Sequence, residues 1–304
     1  MSATRCGFVA LAGRPNVGKS TLMNHLLGRK LSITSRKPQT TRHNLLGIDT
    51  RGDTQFVYLD TPGMHRPVGA SETRPRAGRA INRYMVGQAV RAVFDADVVV
   101  LLVEARPWTD ADAEALEQIA RARTPCVCAI NKVDRLRDRR ALLPIIDDVR
   151  RRHGFEAIVP ISALRGEALG ALADEVAARL PEGPHLFGSD DVTDRPTEFF
   201  LAEIIREKIM RRLGDEVPHR VAVGIERFAG PPELAEVDAV IYVERGTQKG
   251  IVIGKGGARL KSIGQDARRD IERLLGRRAM VRLWVKVKAG WTNDEAVLRT
   301  LGYR

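Results

Sequence analysis

The sequence has few cysteines and no long apolar run. Three cysteines in 304 residues, Cys6, Cys126 and Cys128, make no disulfide framework and suit a reducing compartment, so a cytoplasmic protein is expected. Cys126 and Cys128 lie in the apolar run PCVCAI without a Cys or His partner nearby, a poor zinc site, and read as core residues. No stretch of about 18 apolar residues occurs, so no membrane-spanning helix is expected. The apolar run near the first residue is too short for a signal peptide. Internal repeats and low-complexity tracts are also absent. Positive charge is abundant: 50 Lys and Arg against 38 Asp and Glu give a net charge of +12. Such a balance points to a polyanionic partner, either nucleic acid or an anionic membrane surface. A merely solvated basic surface is the plainer alternative. An apolar share of 43% is enough for a buried core, and the length suits two domains.

Six short apolar runs, at 6–12, 44–49, 55–60, 97–104, 125–131 and 157–162, read as strands. Their apolarity is continuous rather than alternating, as in a sheet buried on both faces. Helical patterns lie between them near 19–28, 80–94, 110–122, 139–153 and 167–180. This alternation predicts an α/β domain with a doubly wound, mostly parallel sheet over 1–182. The stretch PEGPHLFGSDDVTDRP breaks the pattern and predicts a linker at 183–196. Over 197–304 the expected order is α-β-β-α-α-β, with a helix at 198–214, strands at 220–228, 237–244 and 280–288, and a helix–glycine turn–helix at 250–276.

Residues 13–21, GRPNVGKST, fit GxxxxGK[ST] directly after a predicted strand and before a predicted helix, the setting of a phosphate-binding loop. Gly13 and Gly18 permit turns that a β-carbon would obstruct. Loop N–H groups and the following helix N-terminus face the phosphates. The expected contact segment is Gly13, Arg14, Pro15, Asn16, Val17, Gly18, Lys19, Ser20 and Thr21. Lys19 reaches the outer phosphates, and the Ser20 hydroxyl ligates Mg2+. DTPG (60–63) closes a predicted strand. Asp60 there holds Mg2+ through water, Gly63 offers its N–H to a γ-phosphate, and Asp60, Thr61, Pro62 and Gly63 together are expected nucleotide contacts. NKVD (131–134) selects the base. The Asp134 carboxylate accepts two N–H bonds from guanine and would find no donors on adenine, which predicts GTP and GDP as ligands. Asn131 bonds the base or ties loops together, and the Lys132 stem covers the ring. Ser162, Ala163 and Leu164 follow the last predicted strand, where a backbone N–H meets guanine O6. The polar stretch 35–44 supplies Thr40 and Thr41 as candidates for a Mg2+ ligand that senses the γ-phosphate.

In the second region, Gly254-Lys255-Gly256-Gly257 fits the GxxG loop with which KH domains clamp a single-stranded backbone. With the α-β-β-α-α-β order it predicts an α+β, type II KH domain. Ile253, Gly254, Lys255, Gly256, Gly257, Arg259 and Lys261 are the expected RNA contacts. Arg268, Arg269 and Arg273 either extend this basic patch or form a solvated helix face. Trp284 is expected in the core or as a groove wall, and Trp291 against the C-terminal tail.

Together GRPNVGKST, PQTTRHN, DTPGMH, INRYM, NKVD, SALRGE, IVIGKGG and the tail VKAGWTNDEAVLRTLGYR resemble the bacterial Era-type GTPases over almost the whole chain. The resemblance implies GTP hydrolysis, binding of the 3′ end of 16S rRNA, a role in assembly of the 30S ribosomal subunit, and peripheral association with the inner membrane. It implies that GTP favours RNA binding and hydrolysis permits release; a monomer is expected. It favours Thr41, next to Arg42, as the Mg2+ ligand beside Ser20 and Asp60. Met64 stands where Ras-like enzymes carry a water-orienting glutamine, and His65 is a candidate substitute. With Asn16 in the loop and Met64 after DTPG, the resemblance also implies K+ as a charge element. Lys19, Thr41, Asn16 and Gly63 are then the expected catalytic set. The chain departs from the pattern at 66–80, a longer insertion that reads as a mobile loop or an added RNA contact. The competing readings are a membrane-recruited signalling or cell-cycle GTPase with secondary RNA binding, and a constitutive RNA-binding module.

Overall fold

A computed structural model describes residues 4–35, 40–64, 79–213, 221–294 and 298. His65 and all of the 66–80 insertion but its last two residues lie outside the described residues. The chain divides into two compact units: Met1–Thr34, Thr41–Ala70 and Met85–Asp194 form unit 1; Ser35–Thr40, Ser71–Tyr84 and Arg195–Arg304 form unit 2.

Unit 1 is built on a six-stranded sheet. Its strands are β1 (Arg5–Ala12), β2 (Leu45–Arg51), β3 (Thr54–Asp60), β4 (Val98–Glu104), β5 (Cys126–Asn131) and β6 (Ala157–Pro160), in the order β2-β3-β1-β4-β5-β6. All pairings are parallel except β2 with β3. Every residue of β4 but its last is buried, as the unbroken run VVVLLV requires of a strand covered on both faces. The helices are α1 (Lys19–Leu26), the part of α2 (Arg79–Phe94) from Met85 onward, α3 (Asp110–Ala122), α4 (Leu142–Arg150) and α5 (Leu169–Ala177). Cys126 and Cys128 are buried in one cluster with Ile119, Val99 and Leu101, and all three cysteines are free and buried.

The proline-rich stretch after α5 is not a free tether through Asp194. Gln55, fully buried on β3, accepts from the N–H groups of Leu186 and Phe187 at 2.9 and 3.0 Å and donates to the Phe187 carbonyl at 2.9 Å. The Ile48 N–H bonds the Val192 carbonyl at 2.8 Å, and the Thr193 hydroxyl bonds the Leu46 carbonyl at 2.7 Å. These bonds satisfy part of the outer edge of β2, which would otherwise present unpaired backbone groups.

Unit 2 contains α6 (Thr197–Arg212), β7 (Val221–Ala229), β8 (Leu234–Val243), α7 (Gly246–Ile253), α8 (Ala258–Leu275) and β9 (Arg278–Val287). Its sheet runs β7-β8-β9, antiparallel then parallel. One sheet face carries Ala235, Val237, Ala239, Ile241 and Val285, which pack in one core with Leu201, Ile205 and Ile209 of α6 and Ile263, Ala267 and Ile271 of α8. Strand alternation sends Trp284 to the other face, where it is 45% exposed. The expectation of Trp284 as core is thereby corrected. Trp291 is fully buried against Ala222, Ile81 and Leu298, the last in the C-terminal tail.

Candidate functional site

The loop from Gly13 to Gly18 joins β1 to α1 at the carboxyl edge of the parallel sheet, where ligands of open α/β sheets bind. Gly18 has φ 114°, and a β-carbon there would fall 2.3 Å from Asn131 Nδ2, so only glycine fits. Asn16 is exposed and sits in the left-handed region at φ 62°, which asparagine tolerates better than most residues. Lys19 is buried. Its Nζ donates 3.0 Å bonds to the carbonyls of Gly13 and Arg14. Burial lowers its ammonium to about 8, with the Asp60 charge opposing and the Arg14 charge assisting. Val17 is buried, and the Arg14 side chain reaches Glu104 and Asp112 while its Nη1 also donates to the Pro15 carbonyl at 3.4 Å.

Three hydroxyl and carboxylate groups converge beside this loop. Ser20 Oγ donates to Asp60 Oδ2 at 2.7 Å and lies 2.9 Å from Thr41 Oγ1; Thr41 Oγ1 lies 3.4 Å from the same Asp60 oxygen. Asp60 Oδ1 is buried and has no hydrogen-bond partner among the described residues. Burial raises the Asp60 carboxyl above its ordinary value, against the opposing Lys19 charge and hydroxyl bonds. A buried carboxylate with one unsatisfied oxygen and two adjacent hydroxyls is a hard-oxygen set suited to Mg2+. Thr40 does not join it: its hydroxyl pairs with Ser35 at 2.7 Å, and its carbonyl accepts from Arg206 at 2.6 Å within unit 2.

Thr61 and Pro62 are buried, and the Thr61 hydroxyl turns inward to the Leu11 carbonyl at 2.8 Å. Gly63 packs on Pro15 with no room for a side chain between them. Met64 is 3% exposed, held in the hydrophobic cluster under the loop, with its N–H on the Gly13 carbonyl at 3.2 Å. The position after DTPG therefore points into the protein and offers nothing to orient water.

Asn131 ties three loops together. Its Nδ2 donates to the Val17 carbonyl at 2.8 Å, and its Oδ1 accepts from the N–H groups of Lys132 and Ala163 at 2.7 and 2.9 Å. Of the Ser162–Leu164 segment expected to offer a backbone N–H to guanine O6, the Ala163 N–H is thus engaged by Asn131. Ser162 Oγ donates to Asp134 Oδ1 at 2.6 Å and orients that carboxylate. Leu164 is 69% exposed. Sequence reasoning missed Glu104, the last residue of β4, which forms ion pairs with Arg14, Arg106 and Lys132. No motif marks it; its place at a strand end beside Asn131 was the available signal.

In unit 2, Gly254, Lys255, Gly256 and Gly257 join α7 to α8 through one tight turn. Lys255, Arg259 and Lys261 are exposed beside it, Ile253 is half-buried, and Arg259 Nη1 braces the Ile251 carbonyl at 2.5 Å. Arg268, Arg269 and Arg273 pair along α8 with Glu272, Asp266 and Asp270, as in a solvated helix face. Helix α7 starts four residues before the expected 250 because Gln248 Oε1 accepts from the N–H groups of Glu244 and Arg245 at 2.8 and 3.0 Å, closing a first turn weakened by Gly246.

A family model described as a 50S ribosome-binding GTPase matches residues 8–132, and one described as a KH domain matches residues 216–292. The GTPase Era of Pseudomonas savastanoi pv. phaseolicola is 50% identical over 302 residues, covering 99% of this chain and 98% of that protein. The GTPase Era of Marinobacter nauticus is 51% identical over 299 residues, covering 98% and 95%. Among solved structures, an Aquifex aeolicus Era variant bound to GDP·AlF4− is 38% identical, with a TM-score of 0.92 over 99% of each chain. An Era structure in complex with MgGDPNP and nucleotides 1506–1542 of 16S ribosomal RNA matches at 38% identity, with a TM-score of 0.92 over 99% of each chain.

Proposed function

The chain belongs to the family of the GTPase Era and is a GTPase, and from that premise we propose that it uses GTP to control binding to the 3′ end of 16S rRNA during 30S subunit assembly. The observation that carries the reading is the presence, on one chain, of the GxxxxGKS loop with Asp60 beside Ser20, and of an exposed GxxG loop. The relative solved with both MgGDPNP and a 16S fragment supports it.

In this reading Gly13 to Thr21 enclose the phosphates, and Lys19 exchanges its carbonyl partners for phosphate oxygens. Asp134, oriented by Ser162, accepts from the guanine edge, while Asn131 holds the base loop to the phosphate loop. Ser20, Thr41 and Asp60 are the residues that would hold Mg2+. Bound there, the ion supplies positive charge to the phosphate oxygens. Thr41 and Gly63 meet the γ-phosphate end of GTP and lose that contact after hydrolysis, which releases the segments that carry them. Transition-state charge is met by Lys19 and the loop N–H groups, and Asn16 would hold K+, which would supply further positive charge there. Lys255, Arg259 and Lys261 meet the RNA backbone at the glycine turn, and Ile253 lines the neighbouring groove.

The deciding experiment is an RNA titration with a 16S 3′-end oligonucleotide in the presence of a GTP analogue, GDP or no nucleotide. Tighter binding with the analogue is expected. Equal affinity in all three states would leave a constitutive RNA-binding module instead. Anionic vesicles form a third arm: competition by vesicles but not by the oligonucleotide would favour the membrane-recruited signalling reading. No helix among the described residues is long and apolar enough to cross a membrane.

A further inference from the structure

We propose that Glu104 is a positioning residue for guanine-nucleotide binding: its carboxylate locks the base loop to the phosphate loop by holding Lys132 and Arg14. The inference rests on reading Asn131–Asp134 as the guanine site.

Glu104 ends β4 directly opposite Asn131 in the parallel register. The Ala105 N–H bonds the Asn131 carbonyl at 2.8 Å, so the strand end and the base loop are fixed to each other. One Glu104 oxygen accepts from Lys132 Nζ. The other forms ion pairs with Arg14 Nη2 at 2.9 Å and Arg106 Nε at 3.1 Å. Lys132 Nζ also donates to the Asn16 carbonyl at 2.7 Å. The lysine therefore spans from the base loop to the phosphate loop, and Glu104 is its counter-charge at that crossing.

Arg14 is gripped from a second side. Its Nε meets Asp112 Oδ1 at 3.1 Å. Asp112 is 3% exposed and is fixed by the Thr109 N–H and hydroxyl at 3.1 and 2.6 Å. Burial alone would raise the Glu104 carboxyl, but the Lys132 bond and the Lys132, Arg14 and Arg106 charges hold it below its ordinary value. It is thus anionic at neutral pH. Removing that charge leaves Arg14, Arg106 and Lys132 crowded together with Asp112 as the remaining counter-charge of this cluster, and like charges in a half-buried site repel strongly. The two loops between which the nucleotide lies would then part more readily. Glu104 acts through Lys132 and Arg14 rather than on the nucleotide itself.

The test measures dissociation of a fluorescent GDP from the full chain and from Glu104→Gln, Glu104→Asp, Lys132→Gln and the Glu104→Gln/Lys132→Gln double variant. Glu104→Gln is expected to speed release about tenfold, the scale of one lost charge-assisted bond. Glu104→Asp, which keeps the charge on a shorter stem, should recover part of the loss and keeps the test decisive if the glutamine variant folds poorly. The double variant should release GDP within about twofold of the faster single variant, because the two changes break one link. Wild-type release from Glu104→Gln, or full additivity in the double variant, would overturn the inference, since a merely structural role predicts additive effects. Asp134→Asn separates the levels. Unchanged preference for guanine over xanthine there sinks the guanine-site reading itself, whatever Glu104 does.

Discussion

Thr41 Oγ1 lies 2.9 Å from Ser20 Oγ, and both hydroxyls address one oxygen of Asp60. Thr40, one residue earlier, gives its hydroxyl to Ser35 instead. The two candidates from the sequence are thereby separated by partner rather than by distance along the chain. Thr41→Ala should raise the Mg2+ concentration needed to retain a GTP analogue by about tenfold, and to a smaller extent for GDP, whose lost γ-phosphate already frees this segment. Thr40→Ala should leave the Mg2+ requirement within about twofold of wild type. A magnesium titration of analogue release checks both, and the reverse ranking would return the role to Thr40.

The Ser162–Asp134 bond at 2.6 Å orients the carboxylate proposed to read the base. Asp134→Asn replaces two acceptor oxygens by one oxygen and one amide donor. Guanine then loses a partner for its exocyclic amine, while xanthine, with a carbonyl at that position, gains one. Affinity should move from guanine toward xanthine nucleotides by 10-fold or more, on the order of 1.5–3 kcal/mol for a bond to a charged group. Ser162→Ala should cost guanine nucleotides only about 1 kcal/mol, because the carboxylate survives and loses only its guide. Competition between GDP and XDP measures both variants.

Much of this was legible because phosphate and guanine recognition use fixed spacings. Gly13, Gly18, Lys19 and Ser20 stand at the fixed spacing of one short motif, and their strand–loop–helix setting follows from apolar runs that the structure reproduces to within a residue or two. Asp60 and Asn131 end strands in the sequence and in the structure alike. What stayed hidden depends on side chains meeting across the fold. Gln55 looked like a polar residue in a strand, yet it is wholly buried and fastens the stretch read as a linker. Glu104 looked like the polar end of an apolar run, yet it gathers three cations. Trp284 reads as core or groove wall in the sequence, and register decides against the core by sending it outward with Lys286 and Arg282.

Gly256 has φ 56° and nothing within 4 Å of where a β-carbon would stand. Aspartate there meets no steric wall. It costs roughly 1–2 kcal/mol of left-handed backbone strain and sets a negative charge where a phosphate must approach. Gly256→Asp should lower affinity for the 16S 3′-end oligonucleotide by tenfold or more while GTP hydrolysis without RNA stays near wild type. Filter binding and phosphate release measure the two halves. A parallel loss of hydrolysis would mean that the turn supports the fold as a whole, and unchanged RNA affinity would remove the glycine loop from RNA contact.

With Met64 turned into the core at 3% exposure, no side chain at that position orients water, and hydrolysis depends the more on stabilising the charge that develops. Asn16 has a left-handed backbone at φ 62°, which asparagine tolerates, and in the proposed function its amide would also help to hold a monovalent cation. Asn16→Gly separates them, since glycine keeps the backbone conformation and removes the amide. Wild-type hydrolysis should run faster in KCl than in NaCl at equal ionic strength, by about tenfold if the cation supplies one charge-assisted contact. The glycine variant should keep GDP affinity but show one rate in both salts. A wild-type enzyme indifferent to the two salts would leave Asn16 as a turn residue alone and would return the search for transition-state charge to Lys19 and the loop N–H groups.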